Sequence, residues 1–165
     1  MPFKKPHHTS DPSCIKPDDN GGYIIEPRGL NIVWGNDDRY WKVTNQGPAE
    51  LIQVSWLEVT GLVNVQKNKT YSVTFDVKVK EDGYGWKGTD VLVMAKLGKN
   101  GKYLYEAANL TPGEKLTVPP RPGGLEIKVD SNTTETQLHF GLYEVWSGKW
   151  KGGLEIIKAR VIAMP

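Results

Sequence analysis

The sequence holds one cysteine, Cys14, three histidines, and no apolar run near the ~18 residues of a membrane-spanning helix. A lone thiol excludes an internal disulfide framework and fits a reducing compartment. With His7 and His8 adjacent and only His139 elsewhere, there is no Cys/His set at metal-ligand spacing and no glycine-rich phosphate loop, so neither metal nor cofactor is expected. A formal charge of +2 provides no clustered basic face, which argues against nucleic acid as a partner. The first twenty residues lack the apolar segment of a secretory signal, so the expectation is a cytoplasmic chain. The sequons at Asn68, Asn109 and Asn132 then read as coincidences of a threonine-rich β protein. No stretch sustains an i, i+3, i+4, i+7 apolar stripe with caps, which leaves little room for helix.

What is present is alternation. Tyr71, Val73, Phe75, Val77 and Val79 face one way between polar neighbours, the signature of a half-buried strand. Ile52, Val54 and Trp56 hold one phase and Leu57, Val59, Val63 and Val65 the opposite one, which predicts a β-bulge or a bend between two strands. Residues 91–97 are apolar on both parities, as in a strand covered on both sides or packed at a partner interface. Leu125–Val129 and Leu138–Leu142 alternate again, and 154–163 closes the chain. The 18 glycines and 11 prolines fall mainly between these segments, so the fold class is all-β, an antiparallel sandwich of jelly-roll type. Residues 1–22 carry four prolines and few apolar side chains. They read as a flexible arm with an exposed Cys14, ahead of a single folded domain over 23–165.

Two polar turns are bracketed by indoles. Trp34 and Trp41 flank Gly-Asn-Asp-Asp-Arg, with Tyr40 beside the second indole, and Trp146 and Trp150 flank Ser-Gly-Lys, followed by Lys151. A pyranose has one apolar C–H face on which a flat ring stacks, and an equator of hydroxyls that Asn36, Asp37 and Lys151 can accept from or donate to. A sandwich gathers chain-distant loops at one end, so the two turns can share a groove. From the residues alone, Trp34 and Trp41 serve equally as core residues at strand ends, and Lys151 as a rim charge. The Tyr84–Trp86 loop is a third candidate, with Trp86 as a plug at a sheet edge its alternative. Glu58, Asp76, Glu144 and Glu155 are not paired as a glycosidase needs, so no catalytic residue is assigned.

Five blocks in order, Gly29–Trp34, Arg39–Trp41, Val54–Val59, Tyr71–Val79 and Trp150–Gly153, resemble the phloem protein 2, or Nictaba-type, lectins of plants over residues 23–163. The resemblance implies a jelly-roll homodimer of the phloem sap, without catalysis, that binds N-acetylglucosamine oligomers and the chitobiose core of N-glycans. It assigns sugar binding to Trp34 and Trp41, and to Trp150 and Lys151 through the similarity of their block to one in the sugar-binding domain of glycoprotein-recognising F-box proteins. Its alternatives are a structural phloem protein, with Cys14 cross-linking filaments, and an RNA carrier, which the balanced charge does not support.

Overall fold

Alternating apolar residues need a partner surface, and two antiparallel sheets supply it to each other. A computed structural model describes residues 6–120 and 124–164. The strands are β1 (Ile15–Pro17), β2 (Tyr23–Ile25), β3 (Asn31–Ile32), β4 (Trp41–Lys42), β5 (Ala49–Leu51), β6 (Leu57–Asn64) and β7 (Lys69–Tyr84). Then follow β8 (Asp90–Leu97), β9 (Leu104–Asn109), β10 (Lys115–Val118), β11 (Leu125–Val129), β12 (Gln137–Glu144) and β13 (Gly152–Ala163). One sheet is ordered β3-β6-β12-β8-β9. The other runs β1-β2-β13-β5-β4, with β7 bridging β13 to β10 and β11. From β3 onward the chain passes repeatedly from one sheet to the other, the jelly-roll habit expected from the sequence.

The core lies between the sheets, where Phe75 of β7 meets Phe140 of β12 at a ring separation of 6.0 Å. Val73, Val77, Val79, Ile156 and Val161 on one side and Leu57, Val59, Val93 and Leu142 on the other are fully or almost fully buried. In β7 the polar residues Ser72, Thr74 and Asp76 are covered as well, contrary to the half-buried reading, while Lys78 and Lys80 stay exposed. Asp76 is 5% exposed, and its carboxylate accepts from Thr117 Oγ1 at 2.9 Å and from Arg160 Nη2 at 2.6 Å.

The N-terminal segment is not a free arm where the structure describes it. Asp11 caps a short 3-10 turn over Pro12–Cys14, β1 pairs with β2, and the Cys14 carbonyl accepts from the Glu26 N–H at 3.0 Å. Cys14 is therefore half-buried in a fixed turn rather than exposed on a tether. Buried His8 exchanges both backbone hydrogen bonds with Ile32 and lies against Gly35, where a Cβ would come within 2.7 Å of the His8 Cβ. These bonds satisfy backbone groups of the segment, so few apolar side chains suffice to dock it. Residues 1–5 lie outside the described part of the chain.

Candidate functional site

Polar turns end strands, and here three of them meet at one end of the sandwich. After β5 the chain leaves one sheet over residues 52–56 and enters the other at Leu57, so the phase slip is a bend between two strands. Tyr40 holds this bend by accepting from the N–H of Ile52 at 2.8 Å. Val54 exchanges two backbone hydrogen bonds of 2.9 Å with Lys151. The bend thus lies between the 34–41 turn and the 145–151 loop, and the three enclose a shallow cleft of about 180 Å³ lined by Trp34, Tyr40, Val54, Ser55, Trp56 and Trp150.

Trp34, Trp56 and Trp150 are 37%, 47% and 54% exposed, so three indoles stand open around one depression. Each is held. Trp34 has φ +67°, a left-handed conformation that costs a non-glycine residue of order 1 kcal/mol or more and persists only where the surroundings impose it. Its surroundings include the N-terminal segment. The Trp34 N–H donates to His7 Nδ1 at 2.9 Å, and the His7 and Tyr40 rings meet the indole edge-on at 5.4 and 5.6 Å. Trp56 donates its indole N–H to Glu58 Oε1 at 3.0 Å, which fixes the plane of the ring. Trp150 is placed by its successor, because chain alternation turns Trp150 outward where Lys151 turns in.

Lys151 has no exposed surface. Its ammonium spends all three donors inside the protein, on Glu144 Oε1 at 3.1 Å and on the carbonyls of Ser55 and Lys149 at 2.8 Å each. It is neither a rim charge nor a sugar ligand but the staple that joins the 145–151 loop to the cleft floor. Glu144, 2% exposed, also accepts from the Ser147 hydroxyl. Burial alone raises its pKa, but the Ser147 hydroxyl and the Lys151 ammonium outweigh that and leave the carboxyl below its ordinary value. Burial in turn lowers the Lys151 pKa against the pull of Glu144.

Other expected site residues also move to structural roles. Trp41 is 1% exposed, paired across β4 and β5 with Leu51, and belongs to the core. Asp37 builds the turn: its carboxylate accepts from Arg39 Nε at 3.0 Å and Nη2 at 2.7 Å, and its carbonyl accepts from the N–H groups of Tyr40 and Trp41. Asn36 Nδ2 donates to the His7 carbonyl at 3.0 Å. Neither Asn36 nor Asp37 lines the cleft, and Trp146, although 60% exposed, stays outside it. Trp86 is fully buried and donates to the Gly152 carbonyl at 3.0 Å, so the Tyr84–Trp86 loop plugs the core. The triplet Trp-Lys-Gly occurs at 86–88 and again at 150–152, and the two copies are used in opposite phase, indole in at 86 and lysine in at 151.

Ser55 and Trp56 escaped the sequence reading. The signal for them was the phase slip itself, since an aromatic at a break between strands has no sheet neighbour to cover it. Of the carboxylates considered for hydrolysis, Glu144 is committed to a buried ion pair, Asp76 to a partly exposed pair with Arg160, and Glu58 to the Trp56 indole.

Residues 20–162 match the family model described as phloem protein 2. The chain is 39% identical to Protein PHLOEM PROTEIN 2-LIKE A9 of Arabidopsis thaliana, covering 96% of each chain. It is 28% identical to PHLOEM PROTEIN 2-LIKE A1 of the same plant, over 81% of this chain and 58% of that one. Among solved structures, the GH26-CBM35 β-(1,4)-mannanase of Podospora anserina is similar in fold, with a TM-score of 0.51 at 11% identity, over 88% of this chain and 28% of that one. Among the described residues no helix is long and apolar enough to cross a membrane.

Proposed function

The chain belongs to the phloem protein 2 family, a lectin-type family, and from that premise we propose that it is a non-catalytic lectin for N-acetylglucosamine oligomers, including the chitobiose core of N-glycans. The observation that carries the reading is the cleft in which three open indoles and Tyr40 surround a floor of Val54 and Ser55. Pyranose C–H faces stack on Trp34, Trp56 and Trp150, whose planes are set before the sugar arrives, so little side-chain entropy is lost on binding. The hydroxyls of Ser55 and Tyr40 are the polar groups of this lining, and a hydroxyl both donates and accepts. They take over the acetamide-reading role expected of Asn36 and Asp37, which stay committed to the turn.

A cleft this small desolvates few sugar faces, so per-site affinity falls at roughly micromolar to millimolar Kd. A homodimer, the assembly the family resemblance implies, offsets this by presenting two clefts to one glycan-bearing surface. The phloem sap is the compartment that fits this family. Calorimetric titration with chitotriose and with cellotriose tests the assignment. Wild-type protein binds chitotriose, binds cellotriose little or not at all, and loses about tenfold in chitotriose affinity on Trp150→Ala. Unaltered affinity in that variant removes the cleft as the site, and equal binding of the two trisaccharides removes the N-acetyl preference.

A further inference from the structure

The outer face of the five-stranded sheet carries a second line of aromatic side chains, and it starts at the cleft. Glu58, Thr60 and Leu62 of β6, His139, Gly141 and Tyr143 of β12, and Leu92, Met94 and Lys96 of β8 occupy the parity opposite the core positions. Tyr105 lies opposite Met94 on the edge strand β9, and is 63% exposed. The register sets Tyr143 beside Glu58 on one side and Leu92 on the other. Trp56, a wall of the cleft, is bonded through its indole N–H to that same Glu58.

Tyr143 does not stand up from the sheet. A Cβ at Gly141 would come within 2.7 Å of its Cε2 and 2.9 Å of its Cζ, so the ring lies along the strand over a residue with no side chain. Burial first, and then the Tyr103 hydroxyl, raise the Tyr143 phenol pKa, and Tyr103 immediately precedes β9. Tyr103 itself is 37% exposed and has the Lys96 ammonium 4.5 Å from its ring centroid. Leu92 and Met94 are the second apolar parity of β8, the feature that in the sequence called for cover on both faces, and on this side they are only half-buried. Six residue rises along the strands and three strand spacings make the line from Trp56 to Tyr103 roughly 25 Å long.

We propose that the carbohydrate path continues out of the cleft across this face, over Glu58, Tyr143 and Tyr103, so that the protein holds a neutral glycan chain longer than the cleft accommodates. This rests on the sugar-binding reading of the cleft. Two features select a sugar chain as the occupant. The face is continuous with the cleft through the Trp56–Glu58 bond. Its aromatic rings are also interleaved with hydroxyl, carboxylate and ammonium groups at Thr60, Glu58, Tyr143, Tyr103 and Lys96, which pair with sugar hydroxyls beside each stacked ring.

The test compares chitobiose, chitotriose and chitohexaose by calorimetry on the full chain, as wild type, Tyr143→Ala and Tyr103→Ala. The side chain of Tyr103 is exposed, so its removal spares the fold even if Tyr143→Ala does not. The hexamer binds wild type about tenfold more tightly than the trimer, and both variants lose that gain while keeping wild-type trimer affinity. A trimer that binds with no further gain for the hexamer, or a gain that survives in both variants, overturns the extended path and leaves the cleft standing. Absence of trimer binding overturns the cleft reading and this extension with it. A shift from dimer to monomer in sedimentation of Tyr103→Ala makes the face a contact between copies and likewise overturns the path.

Discussion

Trp34 and Trp41, seven positions apart on one turn, answer to different forces. Trp41 is packed in the core, so Trp41→Ala removes a large buried ring and costs about 3–5 kcal/mol. Trp34→Ala removes a partly exposed ring and leaves a non-glycine residue in the same left-handed conformation, so its melting temperature stays close to wild type while chitotriose affinity drops about tenfold. Thermal melts of the two variants check the split, and equal destabilisation by both contradicts it. The sequence displayed both indoles at a polar turn but not which one faced in. That is decided by the pairing of Trp41 with Leu51, a contact that short-range pattern does not encode. Lys151 is the same case. Alternation from Trp150 shows that one of the pair points inward, whereas only the buried Glu144, with the Ser55 carbonyl, makes the lysine the inward one.

At the level of elements, the N-terminal segment and the 144–151 loop carry the site. The segment from Ser10 to Cys14 is held by hydrogen bonds to Arg28, Gly29 and Asn31, and His7 supports Trp34. Deletion of residues 1–20 therefore lowers the melting temperature by more than about 5 °C, since roughly 2–4 °C accompanies each kcal/mol at this size. The same deletion weakens chitotriose binding. An unchanged melting temperature restores the free-arm reading. Proline content suggested disorder there because it records the scarcity of apolar residues, whereas the docking is done by backbone groups that composition does not report.

The Glu144–Lys151 pair makes the 144–151 loop acid-sensitive. Because the folded-state pKa of Glu144 lies below its ordinary 4.5, its contribution is complete above that pH and is lost as pH falls below it. Glu144→Gln leaves a buried ammonium without its counter-charge, a change that costs about 3 kcal/mol at neutral pH. Urea midpoints at pH 7 and pH 4 measure both effects. The variant starts lower and loses less on acidification, and parallel losses in the two proteins place the acid sensitivity elsewhere.

For the molecule as a whole, the all-β sandwich was legible because period-2 alternation in β11 and β12 follows directly from one buried face. The convergence of the 34–41 and 145–151 loops followed from the same architecture. The floor between them did not, since residues 52–56 form no strand and their place depends on Lys151 and Tyr40 from both neighbouring loops. The six tryptophans allow the central claim to be read in one experiment, the indole N–H region of a nitrogen-15 correlation spectrum during titration with chitotriose. As chitotriose binds, the Trp34, Trp56 and Trp150 signals move with a common saturation curve. Trp41 and Trp86, sealed in the core, and Trp146, outside the cleft, stay in place. Six unmoved signals at saturating sugar, or movement confined to Trp146, contradict that claim.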